Sequence, residues 1–444
     1  MTPQPNPQVA IIGSGPAGCY LAQALHRALP TAELTIFDRT AAPYGLIRYG
    51  VAPDHQHTKA ITRQFDRLFQ SPEVHFVGGV DVDVDVTLAE LRELYDVVVL
   101  ATGLQRDRAL DAPGAQLQGV VAAGEIIRSL NAHPKVDPEG FPRLGSDVVV
   151  IGAGNVALDV VRFLVKDRSG FVGSDVDDAA LEQYLAAPAQ RITVLSRAAA
   201  ADSKGDPQML RELAALPRAT YTVTDSATTT SAAPQSPDDR TRAARLASVA
   251  SLDERQRGAF PGPAVSFCFG ARPSRILGDE HVSAVEYTLA GQNVTVPASA
   301  VITAIGFDPH AAPGAASETT AAGIIASLPP DLDSGRIAPA LYRTGWAQRG
   351  SRGAIPENRS SAKLVAEEIV ADLADGARIT RNRASGGYQA LDAGLRERAV
   401  DFSQWLALDA HERRTAPEGR VRRKVVSHEQ MIDIARRTAP ANQP

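Results

Sequence analysis

At 444 residues the chain is long enough for two or three domains, each with its own core. Its net charge of −5 argues against general nucleic-acid binding, although local basic patches remain allowed. With only Cys19 and Cys268 there is no CxxC pair, no disulfide framework and no four-cysteine iron–sulfur site, and no apolar run reaches the length of a membrane span.

Residues 9–38 read as a strand, a glycine turn, a helix and a second strand ending in an acid. Val9-Ala10-Ile11-Ile12 is a short buried-strand run, and Gly13-Ser14-Gly15-Pro16-Ala17-Gly18 follows it at once. This is GxGxxG in the place where a dinucleotide-binding unit needs it. The first glycine makes the turn, the second lets backbone approach a pyrophosphate, and the third lets the helix pack closely on the strand. The phosphates then sit at a helix N-terminus. Ala17, Leu21, Ala24, Leu25 and Ala28 give the helix an apolar stripe, Pro30 stops it, and Leu34-Thr35-Ile36-Phe37 forms the next strand. Asp38 ends that strand, 25 residues after Gly13. A carboxylate there accepts both ribose hydroxyls of an adenosine and repels a 2′-phosphate, so FAD or NAD fits and NADP does not.

Residues 42–55, which include Tyr44, Gly45, Leu46 and Pro53-Asp54-His55, are rich in glycine, proline and rings. They are too irregular for helix or strand and predict an ordered loop with a function. A helix is expected over 59–69. Residues 80–86 alternate Val with Asp and predict a half-exposed strand whose acids are a solvated face rather than a metal site. Residues 95–103 predict a buried strand ending in a tight turn at Gly103. A parallel sheet with one nucleotide is the simplest assembly of these pieces.

A second unit opens at Asp147-Val148-Val149-Val150-Ile151, a strand followed by Gly152-Ala153-Gly154-Asn155-Val156-Ala157, the GxGxxA form of the same turn. Val156, Ala157, Val160, Val161 and Leu164 form the apolar face of its helix, and Arg191-Ile192-Thr193-Val194-Leu195 is its second strand. Here Ser196-Arg197 stands where the first unit has an acid, and a guanidinium can pair with a 2′-phosphate. Two dinucleotide folds of opposite preference predict FAD in the first unit and NADPH in the second.

Residues 225–263 begin rich in Thr, Ser, Ala and Pro, which predicts a surface loop, and continue with Arg240, Arg242, Arg245, Arg255 and Arg257. The basic part reads as a solvated helix face, with a dock for an acidic partner as the alternative. Strands over 265–268, 282–289 and 300–305 are expected to close the second unit. Gly345, Trp346, Gly350 and Gly353 form a glycine-rich turn leading to a helix expected over 360–373, where the far end of a dinucleotide could be received. The opening residues, Met1-Thr2-Pro3-Gln4-Pro5-Asn6, lack the basic and apolar regions of a signal peptide; with the cysteine usage this predicts a cytoplasmic protein.

Taken together, Pro43 to His55, Gly154-Asn155-Val156-Ala157-Leu158-Asp159, the Gly345–Gly353 turn, Asp401-Phe402-Ser403-Gln404-Trp405 and Arg422-Arg423-Lys424 resemble the adrenodoxin reductase family, ferredoxin–NADP reductases on the glutathione-reductase plan. The resemblance implies an α/β fold with two Rossmann-like dinucleotide-binding domains in three layers: FAD on 1–106 and 330–444, the NADP domain at 107–329. Carried over by position, Ala17, Asp38, Leu46 and Val82 would contact FAD, with Trp346, Gly353, Ala354 and Ile355 near its ring. Ala153, Gly154, Asn155 and Val156 would hold the nicotinamide dinucleotide pyrophosphate, and Gly353 would lie near the nicotinamide. His55, Asp159 and Glu212 fall on polar positions near the flavin, and Arg211 with an arginine of 240–245 near a basic face for an acidic ferredoxin-type iron–sulfur protein.

The chain departs from that pattern where a second arginine is expected: Ala198 follows Arg197, and Met209 replaces an acid near the nicotinamide cofactor. Losing one charged hydrogen-bonding partner costs about 1.5–3 kcal/mol, at least tenfold in affinity, so NADH becomes the alternative donor, with Lys204 as a substitute cation. Gln348 and Arg352 also replace a lysine and a small residue beside the ring. The expected activity is a flavoprotein reductase, with no membrane insertion and no nucleic-acid partner. The rival readings are a flavin oxidase or monooxygenase and a non-catalytic flavin-binding protein.

Overall fold

The computed structural model describes residues 6–104, 106–134, 140–226, 236–253, 262–308, 319–351, 353, 355–375, 379 and 386–438. By contacts the chain forms two compact units, one of residues 1–51, 55–106 and 307–444, the other of 52–54 and 107–306. The second return to the first unit therefore falls at Gly306–Phe307 rather than near residue 330. Helix Ala321–Ser327 accounts for the difference, because Ala321 and Ile325 are buried in a core cluster with Ala10, Ile12 and Leu100 of the first unit.

The first unit is built on a six-stranded sheet in the order Arg336–Ala338, Leu341–Arg343, Val97–Leu100, Gln8–Ile12, Glu33–Asp38, Val74–Gly78. All neighbours are parallel except the first pair. The short apolar runs are explained by burial on both faces. Val9 and Ile11 enter one core with helices Pro16–Ala28 and Ile355–Asp375, while Ala10 and Ile12 enter the other with Leu88 and Leu91. Chain order reverses on either side of Gln8–Ile12, which is where open parallel sheets bind ligands at the strand ends.

The second unit repeats the plan with six parallel strands in the order Val120–Ala122, Ala300–Thr303, Asp147–Ile151, Arg191–Ser196, Ala264–Phe269, Thr220–Asp225. Val148 and Val150 pack into the helical core, whereas Val149 and Ile151 pack with Ile276, Val282, Val285 and Tyr287. Those residues belong to an antiparallel sheet of Arg272–Gly278, Val282–Leu289 and Gln292–Pro297. The expected strand at 282–289 thus covers a face of the parallel sheet as a separate layer instead of extending it.

Two other expectations are corrected. Residues 80–86 are a compact turn, not a strand: Asp83 has φ +75°, its N–H donates to the Val86 carbonyl at 2.7 Å, and its carboxylate accepts from the N–H groups of Leu88 and Ala321. The alternation arises because the aspartates make the turn while Val80, Val82 and Val86 point into the core. The helix over 59–69 is two pieces, Gln56–Lys59 and Thr62–Phe69. Within 225–263, the basic stretch is helix Pro237–Asp253, and Arg255 and Arg257 lie outside the described residues.

Candidate functional site

Both glycine turns adopt backbone that only glycine takes easily. Gly13 has φ +112° and Gly152 φ +120°; a Cβ on Gly13 would lie 2.5 Å from the Ala101 carbonyl oxygen, and one on Gly152 2.3 Å from that of Ala304. Each turn is pinned by one bond to the next strand, Gly13 N–H to Phe37 O and Gly152 N–H to Leu195 O, both 2.8 Å. The helices that follow, Pro16–Ala28 and Asn155–Val165, have Gly15 and Gly154 at their N-caps and no side-chain cap. Thr87, Asp177, Asp206 and Asp401 cap their helices with side-chain oxygens, whereas helices such as Thr62–Phe69 and Ala123–Leu130 also start without one. With no side-chain cap among the described residues and a glycine turn in front, the two helices offer a ligand their first-turn N–H groups and the positive end of the dipole.

In the first unit a Cβ on Gly15 would meet nothing within 4 Å among the described residues, and neither would one on Gly103 at the end of the adjacent strand. Backbone from two further segments approaches that space. Gly45, at φ +42°, approaches so that its Cβ would lie 3.0 Å from Gly15 Cα, and Tyr44 N–H donates to Ser14 O. Gly345, at φ +67°, sits on the first turn of Pro16–Ala28, where its Cβ would lie 2.4 Å from Ala17 Cβ. Gly18 allows the helix to approach the turn, since a Cβ there would lie 2.0 Å from Gly13 O. Thr344 Oγ1 and Trp346 Nε1 are buried with no hydrogen-bond partner among the described residues, and the Trp346 ring lies 5.3 Å from that of Phe307. Orphaned polar atoms beside an open glycine turn and an uncapped helix fit a large polar cofactor such as FAD.

Asp38 ends its strand as expected, but its oxygens are engaged by protein. One accepts from Ser14 N–H (3.0 Å) and Ser14 Oγ (2.5 Å), the other from Thr40 N–H (2.9 Å) and Thr40 Oγ1 (2.7 Å). A ribose hydroxyl would have to take the place of one of those hydroxyls. Leu46 is exposed at the start of the short helix Leu46–Tyr49, and Val82 is half-buried at the 80–86 turn. Gly353 has φ +79° and is exposed, Ile355 begins helix Ile355–Asp375, and Ala354 and Arg352 lie outside the described residues. Gln348 is buried and accepts from Ser361 Oγ at 3.0 Å. His55 stands at the N-terminus of Gln56–Lys59, its ring 5.8 Å from that of His57.

Sequence reasoning missed what holds the loop over 42–55. Arg48 and Glu412 form a buried ion pair, and Lys59 and Lys424 both donate to the Arg48 carbonyl oxygen. Tyr44 is bonded to Asp66 and packs against Trp405. The signal was the tail's Arg422-Arg423-Lys424 run together with a lone Glu412, which no local pattern connects to Arg48.

In the second unit Asp159 lies one turn along Asn155–Val165 and bonds Arg162 at 3.1 Å. Arg162 also pairs with Asp54 at 2.6 Å, and Asp54 binds Lys166. Burial pushes the Asp159 carboxyl up to about 7; Arg162 opposes that shift, while Asp54 and Glu212 add to it. Asp159 and Glu212 are thus brought within electrostatic reach, with Glu212 held by Gln208 on helix Pro207–Ala215. Ala153, Asn155 and Val156 line the turn, and Asn155 Oδ1 accepts from Asp206 N–H at 2.8 Å. Arg197 is exposed just past strand Arg191–Ser196.

The arginines expected on a docking face are mostly engaged. Arg245 donates to the carbonyls of Gly205 and Ala201, Arg242 pairs with Asp202, and Arg211 bonds Ser248 Oγ. Cys19 is buried, its thiol donating to Ser14 O and pushed up in pKa mainly by burial; Cys268 is also a free thiol. No helix among the described residues is long and apolar enough to cross a membrane.

Residues 7–197 match the family model described as pyridine nucleotide-disulphide oxidoreductase. The chain is 40% identical to cindoxin reductase of Citrobacter braakii, over 97% of this chain and 92% of that protein. It is 30% identical to the mitochondrial NADPH:adrenodoxin oxidoreductase of Homo sapiens, over 98% and 93%. The solved structure of Mycobacterium tuberculosis FprA in complex with NADPH superposes with a TM-score of 0.84 at 28% identity, covering 97% of this chain and 99% of that one.

Proposed function

Because the chain belongs to the family of NADPH-dependent adrenodoxin and ferredoxin reductases, we propose that it is an FAD-dependent reductase passing electrons from NADPH to a ferredoxin-type iron–sulfur protein. The observation that carries this reading is the pair of uncapped glycine-turn helices, one ending its strand pair in Asp38 and the other in Arg197. Bound FAD would supply what no side chain here can, acceptance of an electron pair and its release one electron at a time. Gly13, Gly15, Ala17, Gly18, Asp38, Gly45 and Leu46 would hold its nucleotide half. Val82, Trp346, Gly353, Ala354 and Ile355 would border the rest. Ala153, Gly154, Asn155, Val156 and Arg197 would take the dinucleotide donor, with NADH as the second donor because Ala198 offers no charge.

His55, Asp159 and Glu212 would hold or move protons; Asp159, titrating at about 7, is suited to that at neutral pH. The reductase would work in the cytoplasm with an acidic partner attracted to exposed arginines such as Arg240, an attraction that raises encounter rate and fades with salt. The test is anaerobic mixing of the purified yellow protein with NADPH and then with an oxidised ferredoxin. Loss of visible flavin absorbance followed by its return on adding ferredoxin is expected. Flavin that stays oxidised with NADPH and with NADH would overturn the reading.

A further inference from the structure

The second glycine turn has a wall that the general dinucleotide plan does not require. Residues 200–206 lie across it: a Cβ on Gly205 would be 3.0 Å from the Ala153 carbonyl oxygen and 3.1 Å from Leu158 Cδ1. Asp206 N–H is bonded to Asn155 Oδ1 at 2.8 Å. Arg245 braces the wall from helix Pro237–Asp253, its Nε donating to Gly205 O at 2.8 Å and its Nη1 to Ala201 O at 2.6 Å. The side chain this wall presents to the turn is Lys204, whose Cβ lies 3.7 Å from where a Gly154 Cβ would stand. Lys204 is exposed, and the acids near it are engaged: Asp202 by Arg242, Asp206 by the N–H groups of Gln208 and Met209, Asp225 by Ala200 N–H.

A lysine rooted beside the second glycine of such a turn can bring its ammonium to the phosphates that the helix N-terminus receives. Those phosphates are common to both nicotinamide donors, whereas Arg197 at the end of Arg191–Ser196 is placed for the 2′-phosphate alone. We propose that Lys204 binds the donor's pyrophosphate and so moves part of the binding energy from the 2′-phosphate to groups that NADPH and NADH share. This rests on the reductase reading above. Its consequence is a donor site less selective between NADPH and NADH than a site with two arginines on the 2′-phosphate.

The test is calorimetric titration of the flavin-loaded enzyme with NADP+ and NAD+, in wild type, Lys204→Gln, Lys204→Arg and Arg197→Gln. Lys204→Gln should weaken both ligands by the same factor, about tenfold or more, as expected for one charge-assisted bond. Lys204→Arg should restore most of the loss, and Arg197→Gln should weaken NADP+ alone. If Lys204→Gln changes neither ligand, or weakens only NADP+, the pyrophosphate assignment is wrong while the reductase reading stands. A wild-type enzyme that binds neither dinucleotide would sink both.

Discussion

Arg48 and Glu412, 364 residues apart in the chain, meet at 2.5 Å with side chains 4% and 0% exposed. Burial pulls the guanidinium down in pKa, and Glu412 and Tyr49 more than offset it, so the net shift is upward. The Arg48 guanidinium also lies 5.0 Å from the Trp405 ring, and Glu412 accepts from Val425 N–H at 3.0 Å. The pair therefore ties helix Phe402–Arg414 and the tail to the loop that carries Gly45 and Leu46. Removing one member of a buried pair leaves the other charge uncompensated, at a cost of about 3–5 kcal/mol. Glu412→Ala should lose that much in denaturant unfolding, and Arg48→Met with Glu412→Leu should recover part of it. A loss under about 1 kcal/mol would put the pair in the class of exposed ones.

Gly345 should tolerate no side chain. Its φ of +67° costs an L-residue about 1–2 kcal/mol, and an added Cβ would stand 2.4 Å from Ala17 Cβ. Gly345→Ala should lower the unfolding midpoint and shift the turn bearing Trp346, reducing flavin retained per protein through purification. Full flavin content and an unchanged midpoint would show that the turn yields freely.

Asp159 makes stability depend on pH with a definite sign. The unfolded carboxyl titrates near 3.8 and the folded one at about 7, so between these values the folded protein holds a proton that the unfolded chain has released. Stability from this group is therefore present below 3.8 and lost as pH rises through about 7, by on the order of a few kcal/mol. The stability difference between wild type and Asp159→Asn should shift steadily against wild type from pH 4 to 7 and level off above. A difference that is flat across this window would show that Arg162 keeps the carboxyl ionised throughout.

Arg245 should behave as a brace and not as part of a docking face. Arg245→Ala removes two bonds to the Gly205 and Ala201 carbonyls, so KM should rise for NADPH and NADH alike. The salt dependence of ferredoxin reduction should not change. Arg240→Ala, at an exposed position, is expected to do the reverse. An altered salt slope in Arg245→Ala with normal KM for both donors would return this residue to the partner's interface.

Periodicity and glycine spacing made the two nucleotide units readable because both features are local. Val9 to Asp38 and Asp147 to Arg197 each hold strand, turn, helix and terminal residue within a short span, and backbone geometry leaves little choice about how they assemble. The errors fell where one pattern has two physical origins. The Val–Asp alternation at 80–86 looks the same whether the acids point to water from a strand or make a turn, and the choice was made by Asp83 bonding Leu88 and Ala321.

The sequence by itself determined the two glycine turns, the opposite chemistry of Asp38 and Arg197 at their second strands, and the lack of paired cysteines. The tertiary structure decided which charges are spent inside the protein and which face outward. Asp38 is taken up by Ser14 and Thr40, Arg48 by Glu412, Arg162 by Asp54 and Asp159, and Arg245 by two carbonyls, while Lys204 is left exposed beside Gly154. The physical reason is one of range. Backbone preference acts over a few residues and can be read along the chain, whereas a charge is neutralised by whatever the fold brings beside it, and those partners lie up to 364 residues away.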